Sequence, residues 1–194
     1  ELNETQKEHY LELIKKLNKS KDNLNYTETL RPLQCLNISY PRDILETDSA
    51  DEPTGISDIM TWEIGGKPKV LHSFKYKKDE IFKKDNIGEY STKIKSILDQ
   101  IERCRGIVLI YSQWIYYGVL PMALALEEMG YSRFGSKTLN LMNNEKNDYT
   151  YSIICGNKEL SPDINEEIAA LTNDNTNGER VKVVIISQTG TEGI

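Results

Sequence analysis

Three short stretches pass abruptly from apolar to small or polar residues. They are Ser112-Gln113-Trp114 after GIVLIY, Gly156-Asn157-Lys158 after YSIIC, and Ser187-Gln188-Thr189-Gly190-Thr191 after VKVVII. Hydroxyls and free backbone N–H groups hydrogen-bond phosphate oxygens, and glycine lets a backbone come close to its ligand. The three stretches are therefore candidate phosphate contacts. Ser, Thr and Gly are also favoured wherever a strand hands over to a helix cap, so each tip taken alone has that plainer explanation. Three similar tips together weigh against it. Trp114 adds a ring that could stack on a base or pack against Tyr116 and the residues that follow.

The elements behind these tips are readable from period. Tyr10, Leu13, Ile14 and Leu17 form one apolar stripe, which predicts a helix over residues 4–18. LQCLNISYP (33–41) alternates and predicts a short strand ended by Pro41. From Arg42 to about Lys69 the chain is acidic with scattered Gly and Pro, which predicts a long irregular connection. KYKKDEIFKKD (75–85) is basic but interleaved with acids, and reads as a solvated face rather than a nucleic-acid patch. Ser91 can cap a helix carrying Ile94, Ile97, Leu98 and Ile101, with Gly106 ending it.

GIVLIYS (106–112) is a continuous apolar run that suits a strand covered on both faces. A helix over 118–130 follows, with Pro121 in its first turn and Gly130 at its end. TLNLMNNEKNDYT (138–150) is loop-like, and YSIICG (151–156) is a second buried strand. Ser161 and Pro162 start a helix with Ile164, Ile168 and Leu171 on one side and Asp163, Glu166 and Glu167 near its positive end. A turn over 173–178 leads to a third buried strand at 181–187. Helices alternating with buried strands predict an α/β fold with a mainly parallel sheet. In such sheets ligands gather beyond the carboxyl ends of the strands, which is where the three polar tips lie.

Composition narrows the chemistry further. The 194 residues are 38% hydrophobic and 28% charged, as in ordinary globular domains. No stretch approaches the roughly 20 apolar residues that would cross a bilayer, and no secretory signal opens the sequence. Cys35, Cys104 and Cys155 lack metal-type spacing and read as reduced, buried thiols of an intracellular protein. His9 and His72 are far apart and match no hydrolase or zinc pattern. A net charge of −6 disfavours bulk attraction to nucleic acid but leaves room for a few backbone-amide and hydroxyl contacts. GxxxxGK[ST], a magnesium-holding acidic pair at a strand end, GxSxG and HExxH are all missing from the sequence. Composition and spacing lead to an α/β domain with a polar sheet edge, and no further.

In their order, residues 90–194 resemble the second RecA-like lobe of superfamily-two helicases. IVLIYSQW stands as motif four, a strand ending in CG follows the next helix, and VVIISQTGTEGI stands as motif five. YSTKIKSILDQI, GIVLIYSQWIYYGVLPMALALEEMGY and SPDINEEIAALT look like the helicases of nucleocytoplasmic large DNA viruses, a branch related to chromatin-remodelling ATPases and poxvirus transcription helicases. TQKEHY followed by LQCLNISYP looks like the connector between lobes.

The resemblance implies a three-layer RecA-like lobe and a division into an inter-lobe connector of helix and strand (1–41), an irregular acidic insertion with a basic segment (42–89) and the lobe itself (90–194), truncated after motif five. It implies nucleic-acid contacts by Ser112, Gln113, Gly156, Asn157, Lys158, Ser187, Thr189, Gly190 and Thr191, and a nucleotide beside Glu192 and Gly193. The first lobe, with its phosphate loop, and the motif-six arginines are not in the sequence. The expectation is therefore a fragment with no catalytic or metal-binding residue of its own, inactive alone. Its parent would be an ATP-dependent helicase using ATP and Mg. Expected partners are DNA or RNA, the first lobe of the same polypeptide and transcription-complex subunits, with no membrane. The expected location is intracellular, in a viral factory or virion if the source is viral. Two other readings stay open: a non-catalytic protein-interaction module with this fold, and an unrelated nucleotide- or flavin-binding α/β domain.

Overall fold

The computed structural model describes residues 1–19, 26–41, 55–142, 149–172 and 175–188. The chain opens with two packed helices, α1 (Glu4–Lys19) and α2 (Tyr26–Cys35). No strand forms over 33–41: Leu33 to Cys35 complete α2, and 36–41 are turn and extended chain. Packing decided this against the local alternation. Cys35 and Ile38, three apart, are both buried, and Gln6 Nε2 donates to the Cys35 carbonyl at 3.2 Å. On the same seam His9 Nδ1 and Ser39 Oγ lie 2.6 Å apart.

A short helix, α3 (Ile56–Ile59), leads into an antiparallel hairpin of β1 (Met60–Gly65) and β2 (Val70–Tyr76). The stretch from Arg42 to about Lys69, expected to be a long irregular connection, thus holds α3 and β1; residues 42–54 lie outside the described residues. Gly66, at φ 87°, makes the turn that a side chain would strain. Trp62 stacks on Phe74 at 5.3 Å, and the hairpin is tied down by Leu71 N–H to the Glu159 carbonyl (3.0 Å) and Phe74 N–H to the Leu141 carbonyl (2.7 Å). The lysine-rich stretch that follows is anchored by fully buried Ile81 and Phe82, while Lys83 and Lys84 pair with Glu80 and Glu102 at the surface.

After α4 (Ile87–Tyr90), α5 (Thr92–Arg103) begins where expected: the Ser91 hydroxyl accepts the Ile94 N–H at 3.0 Å and donates to the Asn37 carbonyl. The helix ends at Cys104, ahead of Gly106. Then come β3 (Val108–Tyr111), a π-helical turn (Ile115–Val119), α6 (Leu120–Glu128), β4 (Ser132–Arg133), β5 (Thr150–Ile154), α7 (Ile164–Thr172) and β6 (Val183–Ile186). Asp163, whose carboxylate accepts the Glu166 N–H, caps α7; Ser161 instead donates to the Ile153 carbonyl. Strand order is β3-β6-β5-β4, every pair parallel. The α/β expectation is met, and the sheet, with helices on both faces, is consistent with a RecA-like lobe. The two-residue β4 had no legible pattern in the sequence.

Side chains alternate across the sheet as the pleat requires. Ile110, Tyr151, Ile153, Val183 and Ile185 face the main core with α5 and α6. Ile154, Val184 and Ile186 face α7, which contributes Ile164, Ile168 and Leu171. The expectation that the first strand of the sheet is covered on both faces is overturned. β3 is an edge strand, with Leu109 66% and Tyr111 54% exposed. They share the α7 face, being in register with Val184 and Ile186, but the nine-residue α7 packs over β5 and β6. Of the three cysteines, Cys35 and Cys155 are buried as expected, and Cys104 is exposed. Burial pushes the Cys35 thiol up to about 11.

Candidate nucleic-acid interface

The three strands that lead into the polar tips end on one rim. Tyr111 is in register with Ile186, and Ile186 with Ile154, so the strands end level. The ladder runs one step further: Ser112 N–H donates to the Ile186 carbonyl (3.0 Å) and Ser187 N–H to the Ile154 carbonyl (3.1 Å). With strands about 4.8 Å apart, the tips of β3, β6 and β5 span about 10 Å of edge.

What each tip offers is narrower than its residue types suggested. The Ser112 hydroxyl is engaged in its own turn, 3.2 Å from both the N–H and the carbonyl oxygen of Trp114. Asn157 is also a turn-former, its side-chain oxygen accepting the N–H groups of Glu159 (2.9 Å) and Leu160 (3.2 Å). Ser187 is only 4% exposed. The groups that face solvent are Gln113, Gly156, Lys158 and Gln188, with Lys158 the positive charge among them. Thr189, Gly190, Thr191, Glu192 and Gly193 lie outside the described residues.

Beside the β3 tip the structure holds a cleft of about 330 Å³, which the sequence did not announce. Its floor is Ile94, Ile97, Ile110 and Met122. Tyr111, Trp114 and Tyr117 supply rings, and Asn37, Lys93 and Gln113 supply polar groups. The Lys93 ammonium donates to the Asn37 side-chain oxygen at 2.6 Å. Trp114 is half-buried here, and its carbonyl accepts the Val119 N–H at 2.9 Å, five residues on, to form the π turn. A Cβ on Gly118 would stand 1.9 Å from the Ser112 hydroxyl, so the turn presses directly on the strand tip and only glycine fits. The one sequence signal for this cleft was aromatic: Tyr111 and Trp114 bracket the end of an otherwise aliphatic strand.

A second polar group lies inside the fold. Glu127, the buried acid of α6, accepts Tyr151 O–H (2.6 Å), Leu141 N–H (2.7 Å) and Met142 N–H (2.5 Å). Glu167, buried on α7, accepts the Ser152 hydroxyl at 2.5 Å. Desolvation pushes the Glu127 carboxyl up to about 7, against the pull of these donors and of Arg133. Desolvation also raises Glu167 to about 7, against Ser152 and Arg133. Arg133 itself is buried, with no hydrogen-bond partner for its guanidinium among the described residues. Its charge therefore acts on both carboxyls from a distance.

No group of three or more His, Cys, Asp or Glu side chains able to hold a metal ion occurs among the described residues. The two residues implied for a nucleotide, Glu192 and Gly193, are not described. No helix among the described residues is long and apolar enough to cross a membrane.

No family model matches the chain. Over 110 residues it is 33% identical to a protein named "Putative ATP-dependent RNA helicase" from Acanthamoeba polyphaga mimivirus. The match takes in 56% of this chain and 18% of the length of that relative, so the chain spans less than a fifth of the protein it resembles. The likeness is a helicase relationship over part of the chain, joined to an α/β fold of the kind a RecA-like lobe has.

Proposed function

We propose that the chain is the second RecA-like lobe of an ATP-dependent helicase or translocase, and that the carboxyl rim of its sheet follows a sugar–phosphate backbone. The observation that carries this reading is the level, parallel register of β3, β6 and β5, which sets three polar tips side by side. Gln113, the Gly156 backbone and the Lys158 ammonium are the exposed contacts, with Ser112 and Asn157 shaping the turns that present them. Ser187, Thr189, Gly190 and Thr191 act with them as the coupling loop, and Glu192 and Gly193 border the nucleotide. Contacts to backbone carry little sequence information, so the track is read with low specificity.

In a two-lobed parent, ATP and Mg would sit in the cleft between lobes. When bound there, ATP would supply a transferable phosphoryl group. Closure and opening then displace this rim relative to the first lobe. The parent belongs with the helicases of large DNA viruses, with residues 1–41 as the inter-lobe connector. It works inside infected cells or virions and meets transcription-complex subunits.

The test is fluorescence anisotropy of labelled single-stranded RNA and DNA with the full 194-residue chain. Binding is expected to be weak, independent of sequence and weakened by salt. Lys158→Ala should lower the salt slope by about one contact. Failure to bind either polymer at low salt, or binding indifferent to Lys158→Ala and Gln113→Ala together, would overturn the reading.

A further inference from the structure

We propose that the cleft beside the β3 tip is a nucleobase pocket, receiving the ring of a nucleotide whose phosphate lies on the sheet rim. This rests on reading the rim as a backbone track and adds to it a site for the bases. A base makes three demands: apolar contact for its flat faces, donors and acceptors for its edge, and a cation near its phosphate. The cleft meets all three. Its aliphatic floor and its three rings form an apolar slot, the Gln113 amide can donate and accept, the Asn37 side-chain nitrogen can donate, and Lys93, bonded to the Asn37 side-chain oxygen, supplies the cation. Its volume, about 330 Å³, is at the small end of ligand sites, and it opens where α/β sheets collect ligands, beyond the carboxyl end of a strand.

Two further observations mark it as a built site rather than a packing gap. The wall is stiff: the Tyr117 ring meets Tyr40 edge-on at 5.4 Å, and the buried Tyr40 hydroxyl donates to the Tyr116 carbonyl at 2.6 Å. That same stretch is the π-helical turn, a rare form that occurs mostly as single turns and is frequent at functional sites. Trp114, in extended conformation just before the turn, and Tyr117, within it, both line the slot.

The chain has two tryptophans, so Trp62→Phe leaves Trp114 as the sole reporter. In this background the full chain is titrated with adenosine, with adenosine monophosphate and with an abasic single-stranded oligonucleotide. Adenosine should quench Trp114 with a dissociation constant in the millimolar range, about 1–10 mM. The monophosphate should bind more tightly, and Lys93→Ala, a surface change, should erase that difference. Ile97→Phe, which fills the slot, should weaken both small ligands about tenfold while leaving abasic binding unchanged, and far-UV circular dichroism checks its fold. No response of Trp114 to adenosine, or equal affinity before and after Ile97→Phe in a folded variant, overturns the pocket. Abasic binding without adenosine binding removes the pocket and keeps the track. Adenosine binding without abasic binding keeps the pocket and removes the track.

Discussion

The buried carboxyls of Glu127 and Glu167 should make this fold lose stability as pH rises through neutrality. In the unfolded chain each titrates near 4.5, whereas desolvation in the folded chain raises both to about 7. Between those two values the native state retains protons that the unfolded state has released. Stability is therefore fully present below about pH 4.5 and falls until about pH 7 is passed. The rise from 4.5 to about 7, at about 1.4 kcal/mol per pH unit, amounts to a ceiling of ~3 kcal/mol for each carboxyl. The pull of Arg133 is already included in both values, so either carboxyl alone is a large share of a typical domain's stability. The lowered carboxyls, Asp99, Asp163 and Glu179, act in the opposite sense but lie at the surface, where screening leaves them little weight.

Urea unfolding followed by circular dichroism at pH 5, 6, 7 and 8, at constant ionic strength, measures the effect. Glu127→Gln with Glu167→Gln should flatten the profile. The Glu127 change should also cost about 1–3 kcal/mol at pH 5, because an amide cannot accept from Leu141, Met142 and Tyr151 as both carboxyl oxygens do. A wild-type chain as stable at pH 8 as at pH 5, or a double variant with the same slope, would refute the argument.

Two other substitutions test the architecture. Ser91→Ala removes both the α5 cap and the bond to the Asn37 carbonyl, and should lower stability by about 1–2 kcal/mol in the same assay. Leu109→Lys, on the open face of β3, should change it by less than about 0.5 kcal/mol, whereas a strand covered on both sides would lose several.

The sequence by itself determined the α/β class, most of the helices and the strands that end in polar tips, because those depend on hydrophobic period and capping chemistry within a few residues. Ser91 before the Ile94, Ile97, Leu98, Ile101 stripe is such a case, and α5 begins just after it. The resemblance at 90–194, too, was carried by local motifs. The tertiary structure decided everything set by distant partners. Leu33 to Cys35 became helix because α1 packs against them, and Val70–Tyr76 became a strand because Met60–Gly65 came alongside. β3 became an edge because β6 inserted between it and β5, a choice of neighbour that no window of sequence records. The cleft, too, joins α2, α5 and the π turn from positions far apart in the chain. Ser112 and Asn157 show the limit most directly: residue type made them candidates for phosphate, and only the folded turn reveals that their side chains are already engaged.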